Sequence, residues 1–323
     1  MEDFYWYQKK GDGSVRLLRM FGTSPEVVVP SEIEGMPVTE IGEYCFARDR
    51  QVTDYLVSPD GRKEEVSTYR LTPLCGNYIQ TIFLPDSVRS LDRFAFYQCS
   101  SLRELSVGAY LTDIGSDVFM NCRNLTSIIL RAEITAPTGL RQLLAQRPAE
   151  IKVTFLPEQG QRAELLYPEF TETYDEIGPA HIFALNISGE GFRARQSFQD
   201  GVVNLAQYDG VFARLCPVEE EETLCRMAMY RLYYPVGLHG EHREQYEDYA
   251  RQHIVCLYRI LLKEKNIFFL MHFGEEGFFT REQLSACIAE ATALKWAEGA
   301  GTLLQGQSRW FGEVEREYSF EEF

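Results

Sequence analysis

The first half of the chain repeats a pattern of apolar positions at an offset of 23 residues. The pairs that recur at this offset are Leu91 and Ile114, Phe96 and Phe119, Cys99 and Cys122, Leu102 and Leu125, Leu105 and Ile128, and Val107 and Leu130. A further copy, Ile41 to Phe46, precedes Leu91 by 50 residues. One such unit cannot bury its own apolar face, so stacked units are needed. The pattern therefore predicts a short solenoid with phenylalanine rings and cysteine thiols in its interior.

Short β-rich runs at 81–84, 104–107 and 127–130 predict one strand in each coil. Alternate side chains of these strands face away from the interior. The resulting candidate binding surface consists of Thr81, Phe83, Glu104, Ser106, Ser127 and Ile129. Cys99 and Cys122 are predicted to be reduced thiols on adjacent coils.

Two hairpins are predicted outside the regular pattern. Residues 4–7 and 15–18 flank a turn rich in glycine, and this hairpin is expected to cap the open end of the solenoid. Residues 52–57 and 65–71 flank Ser58-Pro59-Asp60-Gly61, which is typical of a turn. This second hairpin, within an insertion at about 48–77, protrudes from one coil or replaces it.

The motif I-x-x-x-x-F-x-x-C, the segment Leu84–Val88 and the opening unit Ile33–Gly42 resemble the BspA-like leucine-rich repeats. The resemblance covers about residues 25–157. It implies a leucine-rich-repeat fold and, from relatives at cell surfaces, a role in binding proteins of a host or matrix. The predicted fold class is therefore α+β: a short leucine-rich-repeat-like β-solenoid with a capping hairpin, followed by a mainly α-helical domain.

The pattern becomes helical in the second half, which predicts domains at 1–157 and 158–323. Apolar residues at helical spacing predict one helix that Pro235 ends, one at about 243–265 and one that begins with a capping box at Thr280 and Gln283. The segment Gly299–Gly301 is expected to separate that last helix from a shorter one at 302–305. The patch His181–Leu185 could be a strand or the end of a helix.

Charge narrows the possible partners. The net charge is −16, and residues 158–323 contribute −13 of it. Such a surface repels phosphate backbones and anionic lipids, so we expect no nucleic acid and no membrane partner. The N-terminus lacks a leader pattern and no segment is apolar enough to span a bilayer, which predicts a soluble cytoplasmic protein. The partner is expected to be a protein or peptide.

Candidate chemistry is sparse, and no cofactor or metal is predicted. His239 and His242 have a spacing that could hold a metal, but a full set of ligands is missing. Gly189-Glu190-Gly191, followed by Arg193 and Arg195, could hold an anion. These two arginines and two histidines form the predicted ligand site.

Three functional hypotheses follow. The first is a non-catalytic protein-binding or scaffold module that uses the solenoid surface. The second is a small-ligand sensor or enzyme in the helical half, with a pocket lined by the four residues named above. The third is structural self-association through exposed sheet edges.

Overall fold

The computed structural model describes residues 4–48, 55–57, 63–65, 72–177 and 181–312. A β-solenoid of about five turns spans residues 15–155, and the described part of the chain is a mixture of α and β structure. Contacts between Cα atoms group the chain into two units, Met1–Val218 and Glu219–Phe323. The predicted domain division after residue 157 stays a prediction.

The described strands, in chain order, are β1 (Phe4–Lys9), β2 (Val15–Gly22), β3 (Glu26–Val28), β4 (Glu32–Ile33), β5 (Met36–Ile41), β6 (Tyr55–Val57), β7 (Lys63–Glu65), β8 (Thr72–Pro73), β9 (Thr81–Phe83), β10 (Ser90–Leu91), β11 (Glu104–Gly108), β12 (Asp113–Ile114), β13 (Ser127–Arg131), β14 (Ile151–Phe155), β15 (Ala163–Tyr167), β16 (Thr171–Ile177), β17 (Ile182–Ser188), β18 (Phe198–Gln199) and β19 (Val202–Val203). The described α-helices are α1 (Leu140–Ala145), α2 (Gly191–Ala194), α3 (Leu205–Leu215), α4 (Glu221–Tyr233), α5 (Gly240–Gln252), α6 (Ile254–Glu264), α7 (Ile267–Glu275), α8 (Arg281–Ala293) and α9 (Ala297–Phe311).

Two sheets form the walls of the solenoid. The first, sheet A, has the main order β12-β10-β5-β2-β1-β6-β7. The second, sheet B, has the order β15-β14-β13-β11-β9-β3, and its strands are parallel except for β15. Each coil contributes one strand to sheet B, as the repeat predicts. The next coil therefore lies one strand spacing away, about 4.8 Å.

Equivalent apolar side chains meet across neighbouring coils. Ile82, Leu105, Ile128 and Val153 are aligned in register along sheet B, and all are buried. The predicted phenylalanine ladder is confirmed and gains a third member. The rings of Phe46 and Phe96 are stacked with centroids 5.3 Å apart, and those of Phe96 and Phe119 are 5.6 Å apart.

The repeated cysteines are buried free thiols, as predicted. Each thiol donates a hydrogen bond to the carbonyl oxygen of the phenylalanine in the preceding coil. Cys99 Sγ lies 3.3 Å from the oxygen of Phe46, and Cys122 Sγ lies 3.0 Å from the oxygen of Phe96. The repeated spacing of three residues between phenylalanine and cysteine thus links neighbouring coils through both residues.

The N-terminal hairpin caps the solenoid as predicted. Strand β1 pairs antiparallel with β2, and β2 in turn pairs with β5 of the first coil. The second predicted hairpin is described only where β6 pairs antiparallel with β7, and β6 adds to the outer side of β1. The remainder of that hairpin lies outside the described residues.

The opposite end of the solenoid is capped by side chains. On sheet A, the amide of Gln146 accepts from the backbone N–H of Val118 at 2.8 Å and donates to the carbonyl of Gly115 at 2.6 Å. On sheet B, the Tyr208 hydroxyl donates to the carbonyl of Leu166 at 2.6 Å and accepts from its N–H at 3.1 Å. Both side chains satisfy backbone groups that a further coil would otherwise pair.

Strand structure extends further along the chain than the helical pattern indicated. Strand β15 pairs antiparallel with β14, and β16 pairs with β17. The patch from 181 to 185, left open between strand and helix, contributes to strand β17. The longer helices begin only with α3 at Leu205. The pattern failed here because pairing with β14 outweighs the weak local preference of residues 163–167.

Residues 219–312 form helix pairs in which α4 contacts α5, α6 contacts α7 and α8 contacts α9. Helix α6 also contacts both α4 and α8. The capping box of Thr280 and Gln283 is confirmed at the start of α8. The single helix predicted at 243–265 is wrong, because the chain breaks at His253 between α5 and α6. The break lets both α5 and α6 contact α4. A single straight helix over the same residues could not contact α4 along its whole length.

The predicted separation at Gly299–Gly301 is also wrong. These residues lie inside α9, and the chain turns earlier, at Lys295, whose φ is 57°. The absence of a side chain at Gly299 has a packing role. A Cβ there would collide with the indole of Trp296, so this glycine permits the ring to lie against the helix.

Gly115 tests whether neighbouring coils are as close as the ladder requires. A Cβ at this position would lie 2.5 Å from the backbone nitrogen of Arg93 in the preceding coil. We expect Gly115→Ala to lower the free energy of unfolding by about 1–3 kcal/mol, because the backbone must move to accept the methyl group. Urea-induced unfolding measures this change. Gly301→Ala is the matched control, since nothing lies within 4 Å of its added Cβ. An equal loss in both variants would argue against close stacking of the coils.

Candidate functional site

The six side chains of the predicted binding surface lie on one face of sheet B. Register alignment places them in two rows that cross the strands. The first row contains Thr81, Glu104 and Ser127, and all three are half-buried. Within it, the Ser127 hydroxyl donates to Glu104 Oε2 at 3.2 Å. This row is therefore polar and partly held by its own hydrogen bond.

The second row contains Phe83, Ser106 and Ile129, and Val28 of the edge strand extends it. Val28 is 61% exposed and Phe83 is 40% exposed, whereas Ser106 is buried. Exposed apolar side chains at regular spacing on a rigid sheet provide contact area for a partner. The row thus forms the apolar part of the face.

Arg131 covers the middle of this face, and the sequence reasoning missed it. Its guanidinium carbon lies 4.1 Å above the centroid of the Phe83 ring. The same group donates to Ser106 Oγ at 2.6 Å and to the carbonyl of Leu84 at 2.5 Å, and forms an ion pair with Asp86 at 2.7 Å. Ser106 is buried because this guanidinium lies over it. The sequence offers one signal for Arg131: it lies two residues after Ile129, and this spacing puts both side chains on the same face of the strand.

Gly108 makes room for the ion pair. A Cβ on Gly108 would lie 2.5 Å from Asp86 Oδ1, so only a glycine lets that carboxylate lie over the strand. Asp86, in the turn after β9, therefore holds Arg131 across β11, and Nε of Arg131 is 3.0 Å from the same oxygen. The face combines the exposed apolar side chains of Val28 and Phe83 with a positioned cation and its carboxylate, which suits recognition of a protein surface.

Arg193 and Arg195, predicted to bind an anion, have very different environments. Arg193 is exposed, pairs with Glu190 at 2.7 Å and lines an open cavity of about 770 Å³. Arg195 is buried, and its guanidinium donates to backbone carbonyls. The acceptors are the oxygens of Arg147, Pro148, Ala149, Pro168 and Gly191. Arg195 thus joins three backbone segments.

All five acceptors of the buried Arg195 guanidinium named above are backbone carbonyls. Burial lowers the pKa of Arg195 to about 10, which still leaves it protonated at neutral pH. The rings of Tyr167 and Phe170 lie 6.0 and 5.0 Å from the guanidinium carbon and add cation–π attraction. The N–H donors of Arg195 therefore stabilise the fold.

His239 and His242 lie in the unit that contains residues 219–323, whereas the two arginines belong to the other unit. His239 is exposed at the N-cap of α5, and His242 is half-buried in its first turn. Within the described ranges, no group of three or more His, Cys, Asp or Glu side chains is arranged to hold a metal ion. Cys256 lies three residues after His253, a spacing that could pair a thiol with a base, but burial raises the pKa of the Cys256 thiol, which is the opposite of what a thiolate nucleophile needs.

Residues 31–137 match the family model of the BspA type leucine rich repeat region, in six copies. A solved leucine rich cell surface protein from Faecalibacterium prausnitzii A2-165 is 19% identical, with a TM-score of 0.28, over 39% of this chain and 31% of that chain. The leucine rich repeat protein of T. pallidum is 22% identical, with a TM-score of 0.23, over 39% of this chain and 69% of that chain. The chain thus spans about a third of the Faecalibacterium protein. The search of curated proteins found no match. For the part of the chain that the structure describes, no helix is both long and apolar enough to cross a bilayer.

The structural role of Arg195 can be separated from ligand binding. We expect Arg195→Met to lower the free energy of unfolding by at least about 2 kcal/mol, because several buried carbonyls lose their donor. Thermal and urea unfolding measure this effect. Arg193→Met, at an exposed ion pair on the same helix, is the control and should change stability by less than about 0.5 kcal/mol. A stable Arg195→Met protein would show that those carbonyls do not depend on the guanidinium.

Proposed function

Since residues 31–137 form a BspA-type leucine-rich repeat region, we propose that the chain is a non-catalytic protein-binding module that uses the outer face of sheet B. The observation that carries the proposal is the pair of rows from Thr81 to Ile129, in which exposed Phe83 lies beside the positioned Arg131. A rigid parallel sheet presents these side chains without a large entropic cost on binding. Solenoids commonly use such regular surfaces for recognition.

Catalysis is not supported by the chemistry of the described residues. The thiol of Cys256 has a raised pKa, and the donors of Arg195 are used by backbone carbonyls. We also propose a reducing, cytoplasmic location, which the eight free cysteine thiols support. We therefore propose that the chain acts by binding.

Two alternative functions are weighed against this one. The cavity of about 770 Å³ beside Arg193 has a size that suits a small molecule, which favours a ligand-binding role as the second candidate. Self-association through sheet edges is less well supported, since Tyr208 and Gln146 pair backbone groups at one end of the solenoid.

A comparison of immobilised variants tests the proposed surface. The wild-type chain, Phe83→Ser and Met120→Ser are exposed to the same cell extract, and bound proteins are quantified by mass spectrometry. Met120 is a control because it is 47% exposed but lies outside sheet B. We expect at least one protein to fall about tenfold on Phe83→Ser and to stay bound to Met120→Ser, since an apolar contact in an interface is worth about 1–2 kcal/mol.

Equal melting temperatures of the three proteins ensure that folding does not explain the difference. The proposal is contradicted if the bound proteins are the same for wild type and Phe83→Ser, or if nothing binds to any of them.

A further inference from the structure

The hairpin of β16 and β17 has an apolar face that the described residues leave open. Its seven residue pairs run from Thr171 opposite Ser188 to Ile177 opposite Ile182. In the described part of the chain, neither strand pairs with a third strand. Every side chain from 171 to 176 is exposed. The hairpin is thus a two-stranded ribbon with both outer edges open.

The two faces of this ribbon differ in chemistry. Because side chains alternate along a strand, Glu172, Tyr174 and Glu176 share a face with Leu185 and Ile187. Tyr174 lies opposite Leu185 and is 66% exposed, while Leu185 and Ile187 are 47% and 39% exposed. These three side chains form one contiguous apolar patch with an acidic residue on either side of Tyr174.

Between Thr171 and Asp175, and between Ala184 and Ser188, the other face is largely polar. It carries Thr171, Thr173, Asp175, Ala184, Asn186 and Ser188. Asn186 donates to Asp175 Oδ2 at 2.5 Å on this face. An amphipathic ribbon is the pattern of a sheet with one covered face and one solvated face. Here the face that should be covered is exposed.

An uncovered ribbon of two strands is marginally stable in water, and a third strand or a packed layer stabilises it. The open edges and the apolar patch therefore indicate a partner strand that extends the ribbon and adds an apolar side chain beside the patch. The charge of the ribbon indicates the chemistry of that partner. Residues 171–188 contain three carboxylates and no lysine or arginine. A second copy of this chain, with a net charge of −16, would place like charges opposite one another.

The edge that the partner uses follows from the positions of charged residues. Glu172 and Glu176 lie on β16, and Glu176 also bonds to His181. Strand β17 carries no acidic residue. A basic segment is therefore attracted to the β16 edge.

We propose that the β16–β17 hairpin docks an extended basic protein segment, which adds to β16 as a third strand. Directly opposite Glu172, Tyr174 and Glu176, the segment carries lysine or arginine, an apolar residue, and lysine or arginine. Main-chain hydrogen bonds along β16 supply affinity, and alternate side chains supply specificity. This site is separate from the proposed face of sheet B and does not depend on it.

Two fluorescent nine-residue peptides probe the site with the intact chain. The basic peptide has lysine at positions 3 and 7, valine at position 5 and threonine elsewhere. The acidic peptide replaces both lysines with glutamate. Fluorescence anisotropy at low salt measures the dissociation constants. We expect the basic peptide to bind at least tenfold more tightly, because opposite charges attract and like charges repel across a strand pair.

Charge reversal gives a test that misfolding cannot imitate. The variant Glu172→Lys/Glu176→Lys should bind the basic peptide at least tenfold more weakly and should gain binding of the acidic peptide. Leu185→Ser should weaken binding of the basic peptide at least threefold, because an apolar contact is lost. Asp113→Lys, at an exposed position on β12 of sheet A, is the control and should leave both affinities unchanged.

The proposal is overturned if neither peptide binds the wild-type chain, if both bind equally, or if the charge-reversed variant gains nothing. Self-association that Leu185→Ser abolishes would instead assign the patch to a second copy, and would also overturn the proposal. The effect of Phe83→Ser on the bound proteins does not depend on any of these outcomes. If the hairpin proposal fails, the sheet B proposal is therefore unaffected.

Discussion

Each coil of the solenoid depends on its neighbour because its central phenylalanine ring has to be covered by the ring of the next coil. Phe46, Phe96 and Phe119 form one stack whose successive centroids are 5.3 and 5.6 Å apart. This spacing follows from the strand spacing of about 4.8 Å in sheet B. A stack of this kind has two ends, and each end needs a cover. The hairpin of β1 and β2 covers one end, and the side chains of Gln146 and Tyr208 pair exposed backbone groups at the other.

The same register that stacks the core also builds the outer face of sheet B. If Leu105 lies beside Ile128, then Ser106 must lie beside Ile129. The proposed binding surface is thus built on the same strands as the core beneath it. The β16–β17 hairpin has the opposite character, because two strands with exposed faces lack that support. We therefore propose one binding surface on the solenoid and a second on a ribbon that a partner strand extends.

Repetition explains which parts of the fold could be predicted from the sequence. Phe96, Phe119, Cys99 and Cys122 were placed because one unit implies the position of the next. The face of sheet B was predicted from strand alternation. Arg131 was missed because its contacts with Asp86 and Leu84 join positions more than 40 residues apart. Arg195 was taken for a ligand residue because sequence does not show that five carbonyls converge on it.

Helix boundaries predicted from local sequence patterns were wrong where packing decides the conformation. Glycines at 299 and 301 suggested a break, but Gly299 is the contact point for Trp296 inside a helix. The apolar spacing from 243 to 265 continued through His253, where the chain turns so that two helices reach α4. The contact of Gly299 with Trp296 is local, because Trp296 is the N-cap of the same helix. The turn at His253 instead reflects the contacts of α5 and α6 with α4, which a single sequence does not record.

A double-mutant cycle on Phe96 and Phe119 tests the stacked coils most directly. The free energies of unfolding of Phe96→Leu, Phe119→Leu and the double variant are compared with that of the wild-type chain. Rings that stack across neighbouring coils predict a coupling of about 0.5–1.5 kcal/mol between the two changes. Additive effects, within about 0.3 kcal/mol, would contradict the ladder and with it the register of the binding face.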